Sequence, residues 1–187
     1  CGYGEMLKHS LINNGNTFKY LNKNYFKIIS LKSPFIDKAI ADSYKIKRSI
    51  VELDEKEKNL RKVLNLGHTF AHAYEASLSY TKKLNHGEAV ILGIISSAKF
   101  SFENNILNKK DYNKIINHIN YLKFPSHLKY YFKKKHVNKI IKYMKSDKKN
   151  NSSKINLILL KQIGKVILGS RFNESVIKKF LVKELIN

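Results

Sequence analysis

Five polar side chains recur through residues 61–75 at intervals that could bring them together. They are Arg61, Asn65, His68, His72 and Glu75, and the steps between them are four, three, four and three residues. A helix with 3.6 residues per turn places residues at such intervals along one face. The positions between them are mostly apolar, so the pattern predicts one largely buried helix with a polar stripe. A solvated polar face on an ordinary amphipathic helix is the alternative that the pattern leaves open.

A buried polar stripe needs hydrogen bonds, ion pairs or coordination, because burying such groups without partners is costly. Two histidines four residues apart occur in zinc proteases, but there glutamate follows the first histidine, where this chain has Thr69. The alternative is a site with one histidine from the helix, one from a turn and one carboxylate from elsewhere. The candidates are Glu5, His68 and His86. Zinc and ferrous iron both accept these donors, so the residue types do not decide the metal.

The first element that could carry a ligand is the segment Gly2–Ile12, which is predicted to be a loop turning into a helix. Its spacing places Glu5, Lys8 and His9 on adjoining positions of one face. A turn at residues 13–16 separates it from a weaker predicted helix over Phe18–Ile29.

A further helix is predicted to begin at Ser33 and Pro34 and to end near Val51, because a capping residue followed by proline is a typical helix start. Lys47 continues the apolar stripe of this helix, which indicates either that its alkyl stem snorkels or that it meets an anion. The predicted stripe consists of Ile36, Ile40 and Tyr44 or Ser43.

The remaining segments predict more helices and one hairpin. His86 is expected on a turn before a helix that ends near Asn104, and Asp111 is expected to cap the next helix. Further predicted elements are a helix with Val137, Ile140, Ile141 and Met144 inward, a β-hairpin over Lys154–Leu160 and Lys165–Gly169, and a helix over 174–185. His118, His127 and His136 have no evident partners and are expected to be surface or core residues. The chain is therefore predicted to be mainly α.

Composition limits the partners that we expect. The net charge is +22, yet nearly all basic residues are lysines, the arginines being Arg48, Arg61 and Arg171. Base recognition favours arginine, so nucleic-acid binding is not the expected function. The 187 residues suit one domain. One cysteine, Cys1, together with the lack of a signal peptide or a long apolar run, predicts a cytoplasmic location without membrane contact.

Three stretches then resemble one known family. They are GYGEMLK at 2–8, RKVLNLGHTFAHAYE at 61–75 and HGEAV at 86–90. In this order and at this separation they are similar to 3-dehydroquinate synthase, and the likeness extends over essentially the whole chain. The resemblance implies that Glu5, His68 and His86 are ligands of Zn²⁺, with Co²⁺ as a possible substitute.

The resemblance also implies roles for other side chains. His72 and Glu57 match residues with proton-transfer roles. The matches to substrate-binding groups are Lys8, Lys47, Arg61, Asn65 and one of Lys148 and Lys149. The family substrate is 3-deoxy-D-arabino-heptulosonate 7-phosphate. Bound NAD oxidises it, phosphate is eliminated, the ketone is reduced again and the ring closes as a carbocycle.

The likeness has one large gap. Members of the family carry an N-terminal Rossmann-like α/β domain with a glycine-rich turn for NAD, and no such turn or βαβ alternation occurs here. The resemblance therefore implies that residues 1–187 are the helical metal- and substrate-binding C-terminal domain, cut from a longer chain that forms a homodimer. Smaller departures are Gly4 and Ala71, where the family often has alanine and glycine.

Several other functions stay open at this point. Another sugar phosphate cyclase, such as a deoxy-scyllo-inosose or valiolone synthase, would share the metal site. A metal-dependent polyol dehydrogenase is a more distant alternative. The chain could also be an inactive remnant or a basic binding module.

Overall fold

The computed structural model describes residues 2–124, 126–146 and 154–186. Within these ranges the chain forms eight α-helices and one two-stranded antiparallel sheet, so the predicted mainly α architecture with a single hairpin is confirmed. The elements are α1 (Gly2–Ile12), α2 (Asn16–Ile29), α3 (Phe35–Leu53), α4 (His68–Ser77), α5 (His86–Glu103), α6 (Lys109–Tyr121), α7 (Val137–Ser146), β1 (Lys154–Gln162), β2 (Lys165–Asn173) and α8 (Glu174–Ile186). Short 3₁₀ segments cover Leu60–Asn65, Leu128–Tyr130 and Lys134–His136.

The central helix of the domain is α5. Most of its residues are buried, and it packs against α1, α4, α6 and β1. Its first turn is closed by a capping box, in which the Asn85 side chain accepts from the backbone N–H of Glu88 at 3.1 Å and the Glu88 carboxylate accepts from the N–H of Asn85 at 3.0 Å. This cap fixes His86 as the first residue of α5 rather than a residue of the preceding turn.

The segment 61–75 is not one helix, so the predicted continuous polar stripe is wrong. Leu60–Asn65 forms a 3₁₀ segment, Gly67 adopts φ +75°, and α4 begins only at His68. A left-handed residue redirects the chain, which breaks the helical phase between the two halves of the segment. Only His68, His72 and Glu75 therefore share a helix.

Close backbone contacts explain where α4 lies. A Cβ atom on Gly67 would lie 2.8 Å from the backbone nitrogen of Ile94, and a Cβ on Gly93 would collide with the carbonyl oxygen of Gly67. Such a Cβ on Gly93 would also lie 3.1 Å from the Cβ of Ala71. The start of α4 thus rests directly on the backbone of α5, and only small residues allow this approach.

A second close contact joins α1 to α5. A Cβ on Gly4 would lie 2.6 Å from the carbonyl oxygen of Gly87, which is a backbone atom that cannot swing away. Glu5 follows Gly4 directly, and His86 directly precedes Gly87. The contact between the two glycines therefore brings these two side chains to the same place.

Helix α3 begins and ends close to the predicted positions but buries a different face. Its buried residues are Ala39, Ser43 and Ile46, whereas the side chains of Ile40 and Tyr44 are 54% and 63% exposed. The predicted stripe is wrong for these two residues because α1 and α2 pack against the face with the small side chains. Lys47, which was predicted to continue the buried stripe, is exposed.

The later elements follow the sequence more closely. The inward residues predicted for α7 are all buried, and both strands extend beyond the predicted bounds. The N-cap of α6 is Asn108, whose Oδ1 accepts from the N–H of Asp111 at 2.9 Å, so the prediction of Asp111 as cap is wrong. Among the described residues, no helix has the length and apolar character that crossing a bilayer requires.

His118 of α6 is a core residue that ties three helices together. Its ring is fully buried, Nδ1 donates to Asn22 Oδ1 of α2 at 3.0 Å, and Nε2 accepts from the Tyr3 hydroxyl of α1 at 2.8 Å. We assign this tautomer because the amide oxygen of Asn22 can only accept. Burial lowers the pKa of His118 from 6.5 to about 4.

This burial predicts that acid destabilises the domain partly through His118. Between pH 6.5 and about 4 the unfolded chain binds a proton that the folded chain does not, so the free energy of unfolding falls as the pH is lowered through that range. One such group lowers the free energy of unfolding by about 3 kcal/mol over this range. Replacing His118 with glutamine should remove that decrease, as measured by urea unfolding at pH 8 and pH 4. The difference at pH 8, where His118 is neutral in both states, reports the cost of the substitution itself. If the free energy of unfolding depended equally on pH in the wild type and in His118→Gln, the prediction would be contradicted.

Candidate metal centre

Three side chains that are distant in the sequence meet at one point. Glu5 lies on α1, His68 is the first residue of α4 and His86 is the first residue of α5. One donor atom of each lies within 4.8 Å of the other two. Nε2 of His68 and Nε2 of His86 lie 3.5 and 3.9 Å from Oε1 of Glu5. The convergence that the sequence analysis requires is present, while the role of the three residues as metal ligands stays a prediction.

The other ring nitrogen of each histidine has an acceptor. Nδ1 of His68 donates to the carbonyl oxygen of Leu66 at 3.3 Å, and Nδ1 of His86 donates to Oε1 of Glu75 at 3.1 Å. With hydrogen on Nδ1, both Nε2 atoms present lone pairs toward Glu5. Histidines that bind metals in proteins are commonly held by such outer acceptors.

The two carboxylate oxygens of Glu5 have different surroundings. Oε2 accepts from the Lys8 ammonium at 2.7 Å, whereas Oε1 is buried without a hydrogen-bond partner among the described residues. Burial alone would raise the pKa of the Glu5 carboxyl, but the charge and hydrogen bond of Lys8, together with the smaller effects of His68 and His9, hold the pKa below its usual value. A charged, unpartnered oxygen that faces two imidazole nitrogens fits a cation, and this donor set suits zinc.

The electrostatic state of His68 also suits a metal. Burial, assisted by the positive charge of Lys8, lowers the pKa of His68 from 6.5 to about 4. At neutral pH its imidazole is therefore neutral, which is the form that coordinates metals. The His68 side chain is 12% exposed and that of His86 is 48% exposed, so one side of the cluster is open to a ligand.

His72 lies beside this cluster, one turn further along α4. Its ring centroid is 5.1 Å from that of His68 and 6.5 Å from that of His86. It is exposed and lines an open depression together with Glu75, His86 and Tyr143. A molecule held at the open side of the cluster would be within reach of its imidazole.

Glu57, Arg61 and Asn65 are held by the irregular segment that precedes α4. Oε1 of Glu57 accepts from Nδ2 of Asn65 at 3.0 Å, and Nη1 of Arg61 donates to the carbonyl oxygen of Glu55 at 2.6 Å. The carboxylate of Asp54 accepts backbone N–H groups of residues 58, 59 and 61, so it organises this turn. The segment packs against α1 and α3, the helices that carry Glu5 and Lys47.

The cationic residues are divided between the interior and the surface. Lys8 is 3% exposed, and burial lowers its pKa although its ion pair with Glu5 opposes that shift. Lys47 is exposed on α3, close enough that its charge also lowers the pKa values of Lys8 and His9. Lys148 and Lys149 lie outside the described residues.

Sequence reasoning places His9 beside Glu5 on one face of α1, because residues four apart are neighbours on a helix, but it assigns His9 no role. His9 is buried on α1, and its Nδ1 forms a 2.7 Å hydrogen bond with the Ser43 hydroxyl of α3. The sequence analysis does not predict this contact. No local signal points to Ser43, which is 34 residues away in the sequence.

Comparison with solved structures identifies the class of fold. A 2-epi-5-epi-valiolone synthase from Streptomyces hygroscopicus, described with NAD⁺ and Zn²⁺ bound, matches with a TM-score of 0.82 and 16% identity, over 97% of this chain and 49% of that one. A 2-deoxy-scyllo-inosose synthase complexed with carbaglucose-6-phosphate, NAD⁺ and Co²⁺ matches with a TM-score of 0.77 and 22% identity. This match covers 98% of the present chain and 51% of the synthase chain. The chain therefore has the fold of one half of these sugar phosphate cyclases.

Comparison of sequences then gives the family. The family model described as 3-dehydroquinate synthase C-terminal matches residues 2–150. A 3-dehydroquinate synthase from Pelagibacter ubique is 57% identical over 185 residues, and one from Thermoanaerobacter sp. is 37% identical over 177 residues. The chain belongs to the 3-dehydroquinate synthase family, as its motifs indicate. It covers 50% and 48% of these two relatives, which is about half their length.

Proposed function

We propose that residues 1–187 are the metal- and substrate-binding domain of a 3-dehydroquinate synthase. The reaction is the conversion of 3-deoxy-D-arabino-heptulosonate 7-phosphate to 3-dehydroquinate and phosphate. The observation that carries the proposal is the meeting of Glu5, His68 and His86 around a buried carboxylate oxygen that has no hydrogen bond to the part of the chain that the structure describes. The 57% identity to a 3-dehydroquinate synthase supports this reaction over others that the same donor set could serve.

Glu5, His68 and His86 would hold Zn²⁺, or Co²⁺ in its place. When bound, the metal supplies Lewis-acid polarisation of a substrate oxygen. The charge of Glu5 offsets that of the cation, and the outer acceptors of the two histidines keep their Nε2 lone pairs available.

Cationic and amide side chains would bind the anionic substrate. Lys8 and Lys47 supply positive charge on α1 and α3, and Arg61 and Asn65 lie on the segment packed against those helices. We assign Lys148 and Lys149 to the same set on the resemblance alone. Charged hydrogen bonds of this kind hold carboxylate and phosphate groups more strongly than neutral ones do.

His72 and Glu57 are the proposed proton-transfer residues. His72 stands at the open side of the cluster, one turn from His68, where it can exchange a proton with a bound substrate. Glu57 is positioned by the Asn65 amide, so its carboxylate has a defined direction.

NAD, which would be reduced and reoxidised within one turnover, is assigned to the N-terminal portion that relatives carry beyond the length of this chain. We further propose that the full-length enzyme is a homodimer. A single cysteine fits a location in the reducing cytoplasm.

The test is to separate metal binding from turnover. The 187-residue chain should bind one Zn²⁺ after dialysis, as measured by elemental analysis, yet release no phosphate from the substrate in the presence of NAD. Phosphate release by this chain would refute the assignment of NAD to the other portion. A failure to retain zinc would refute the metal site.

Another sugar phosphate cyclase is the second candidate, since the similar solved structures are valiolone and inosose synthases. A product assay of the full-length protein with each candidate sugar phosphate separates these reactions. An inactive remnant that acts as a basic binding module would instead bind random DNA in a salt-sensitive manner and retain no metal.

A further inference from the structure

The buried side chain of His9 lies beside the Glu5 carboxylate oxygen that does not face His68 and His86. Its Nε2 is 3.8 Å from Oε2 of Glu5, the oxygen that also accepts from Lys8, whereas Oε1 faces the two histidines. His9 is 4% exposed, and Nε2 is buried with no hydrogen-bond partner within residues 2–124, 126–146 and 154–186. The carboxylate is therefore flanked by a lysine and a histidine at one oxygen and by the ligand histidines at the other.

The partner of the other ring nitrogen decides how His9 acts on Glu5. Nδ1 lies 2.7 Å from the Ser43 hydroxyl, which is itself buried on α3. If hydrogen were on Nδ1, the lone pair of Nε2 would face a carboxylate oxygen in a buried site, which is repulsive. We therefore assign the tautomer in which Ser43 donates to Nδ1 and the N–H of Nε2 points toward Glu5.

We propose that His9, held by Ser43, is a positioning residue that turns Oε1 of Glu5 toward the metal. The inference rests on the proposed metal role of Glu5, His68 and His86. At 3.8 Å the N–H of His9 attracts Oε2 without forming a short hydrogen bond, and such an attraction is stronger in a buried site than in water. Because Lys8 is assigned to the substrate as well, His9 supplies a restraint on Glu5 that substrate binding does not disturb.

The effect should appear in the affinity of the 187-residue chain for Zn²⁺, measured by competition with a chromophoric chelator. Replacing Ser43 with alanine, or His9 with phenylalanine, should weaken zinc binding about tenfold, the lower end of the effect of outer-shell substitutions. The two losses should not add, because the serine acts only through the histidine. His9→Gln, whose amide can donate to Glu5, should recover part of the affinity.

Ser101→Ala is the matched control. Ser101 is also a buried helical serine, but its hydroxyl donates within its own helix, to the Ser97 carbonyl oxygen at 2.7 Å. This variant should keep the wild-type affinity. Thermal unfolding in the presence of chelator shows whether each variant is folded without metal. The absorption spectrum of bound Co²⁺ should change in Ser43→Ala, since ligand geometry changes, and stay unchanged in Ser101→Ala.

The outcomes distinguish the two proposals. Wild-type protein that binds no zinc refutes the proposed metal site. Wild-type protein that binds zinc, while folded Ser43→Ala or His9→Phe retains the same affinity, overturns the positioning role alone. Additive losses in the double variant also overturn it, because they would mean that Ser43 and His9 act independently.

Discussion

Replacing His68 with alanine is expected to weaken zinc binding by at least about a hundredfold, since a ligand contributes more than the outer-shell groups that cost 10- to 100-fold. The substitution removes the imidazole whose Nε2 lies 3.5 Å from Oε1 of Glu5 and leaves only two of three protein donors. A zinc concentration that just saturates the wild type should accordingly raise the melting temperature of the variant very little, because stabilisation by a ligand follows its affinity for the folded state.

The matched control for this substitution lies one turn away on the same helix. His72→Ala removes an exposed imidazole whose centroid is 5.1 Å from that of His68 but which is not a proposed ligand. Zinc affinity should stay within a few-fold of wild type in this variant, by calorimetry or chelator competition. Equal losses in the two variants would contradict the assignment of His68 and point to a different ligand set.

Replacing Gly67 with alanine is expected to cost about 2–5 kcal/mol of folding free energy. A left-handed backbone costs an L-residue roughly 1–2 kcal/mol. Overpacking against neighbours adds about 1–3 kcal/mol. Here the new Cβ would lie 2.8 Å from the Ile94 nitrogen and 2.9 Å from the Gly93 carbonyl carbon, both backbone atoms. Because domains of this size are stable by only about 5–15 kcal/mol, the loss would be large.

Gly169→Ala separates the two contributions. Gly169 has φ +73°, close to the +75° of Gly67, but an added Cβ would meet no atom of the described residues within 4 Å. Gly169→Ala should therefore lower the free energy of unfolding only by the roughly 1–2 kcal/mol that an L-residue costs in the left-handed region. Urea unfolding of both variants measures the difference, and equal losses would show that the contact between α4 and α5 relaxes without cost.

The sequence predicts where the helices and strands of this fold lie better than it predicts which face of each helix is buried. Helices with large inward side chains, such as α7, are predicted correctly because apolar periodicity follows burial there. The face of α3 is mispredicted because the small residues Ala39 and Ser43 allow close packing, which a search for bulky residues does not find. The stripe over 61–75 fails for another reason, since one glycine in a left-handed conformation interrupts the period.

Residue chemistry alone names Glu5, His68 and His86 as candidate ligands, and the family motifs then give them a specific role. Residue types suggested two histidines and a carboxylate, but no periodicity could relate Glu5 to residues 63 and 81 positions later. That convergence depends on backbone contacts between helices, which are tertiary features. The hydrogen bond between His9 and Ser43 was missed for the same reason, because α1 and α3 meet only in the folded chain.

The glycine contacts of α5 have a consequence for engineering. Gly4 meets Gly87, and Gly67 meets Gly93. Gly4, Gly67 and Gly87 each adjoin a side chain of the cluster, and Gly93 lies about two turns after His86. In a randomised library, substitutions at these positions would lower heat tolerance and cofactor retention in the same clones. A selection for either property would therefore enrich the same small residues, and directed evolution could not improve one of them at these positions independently of the other.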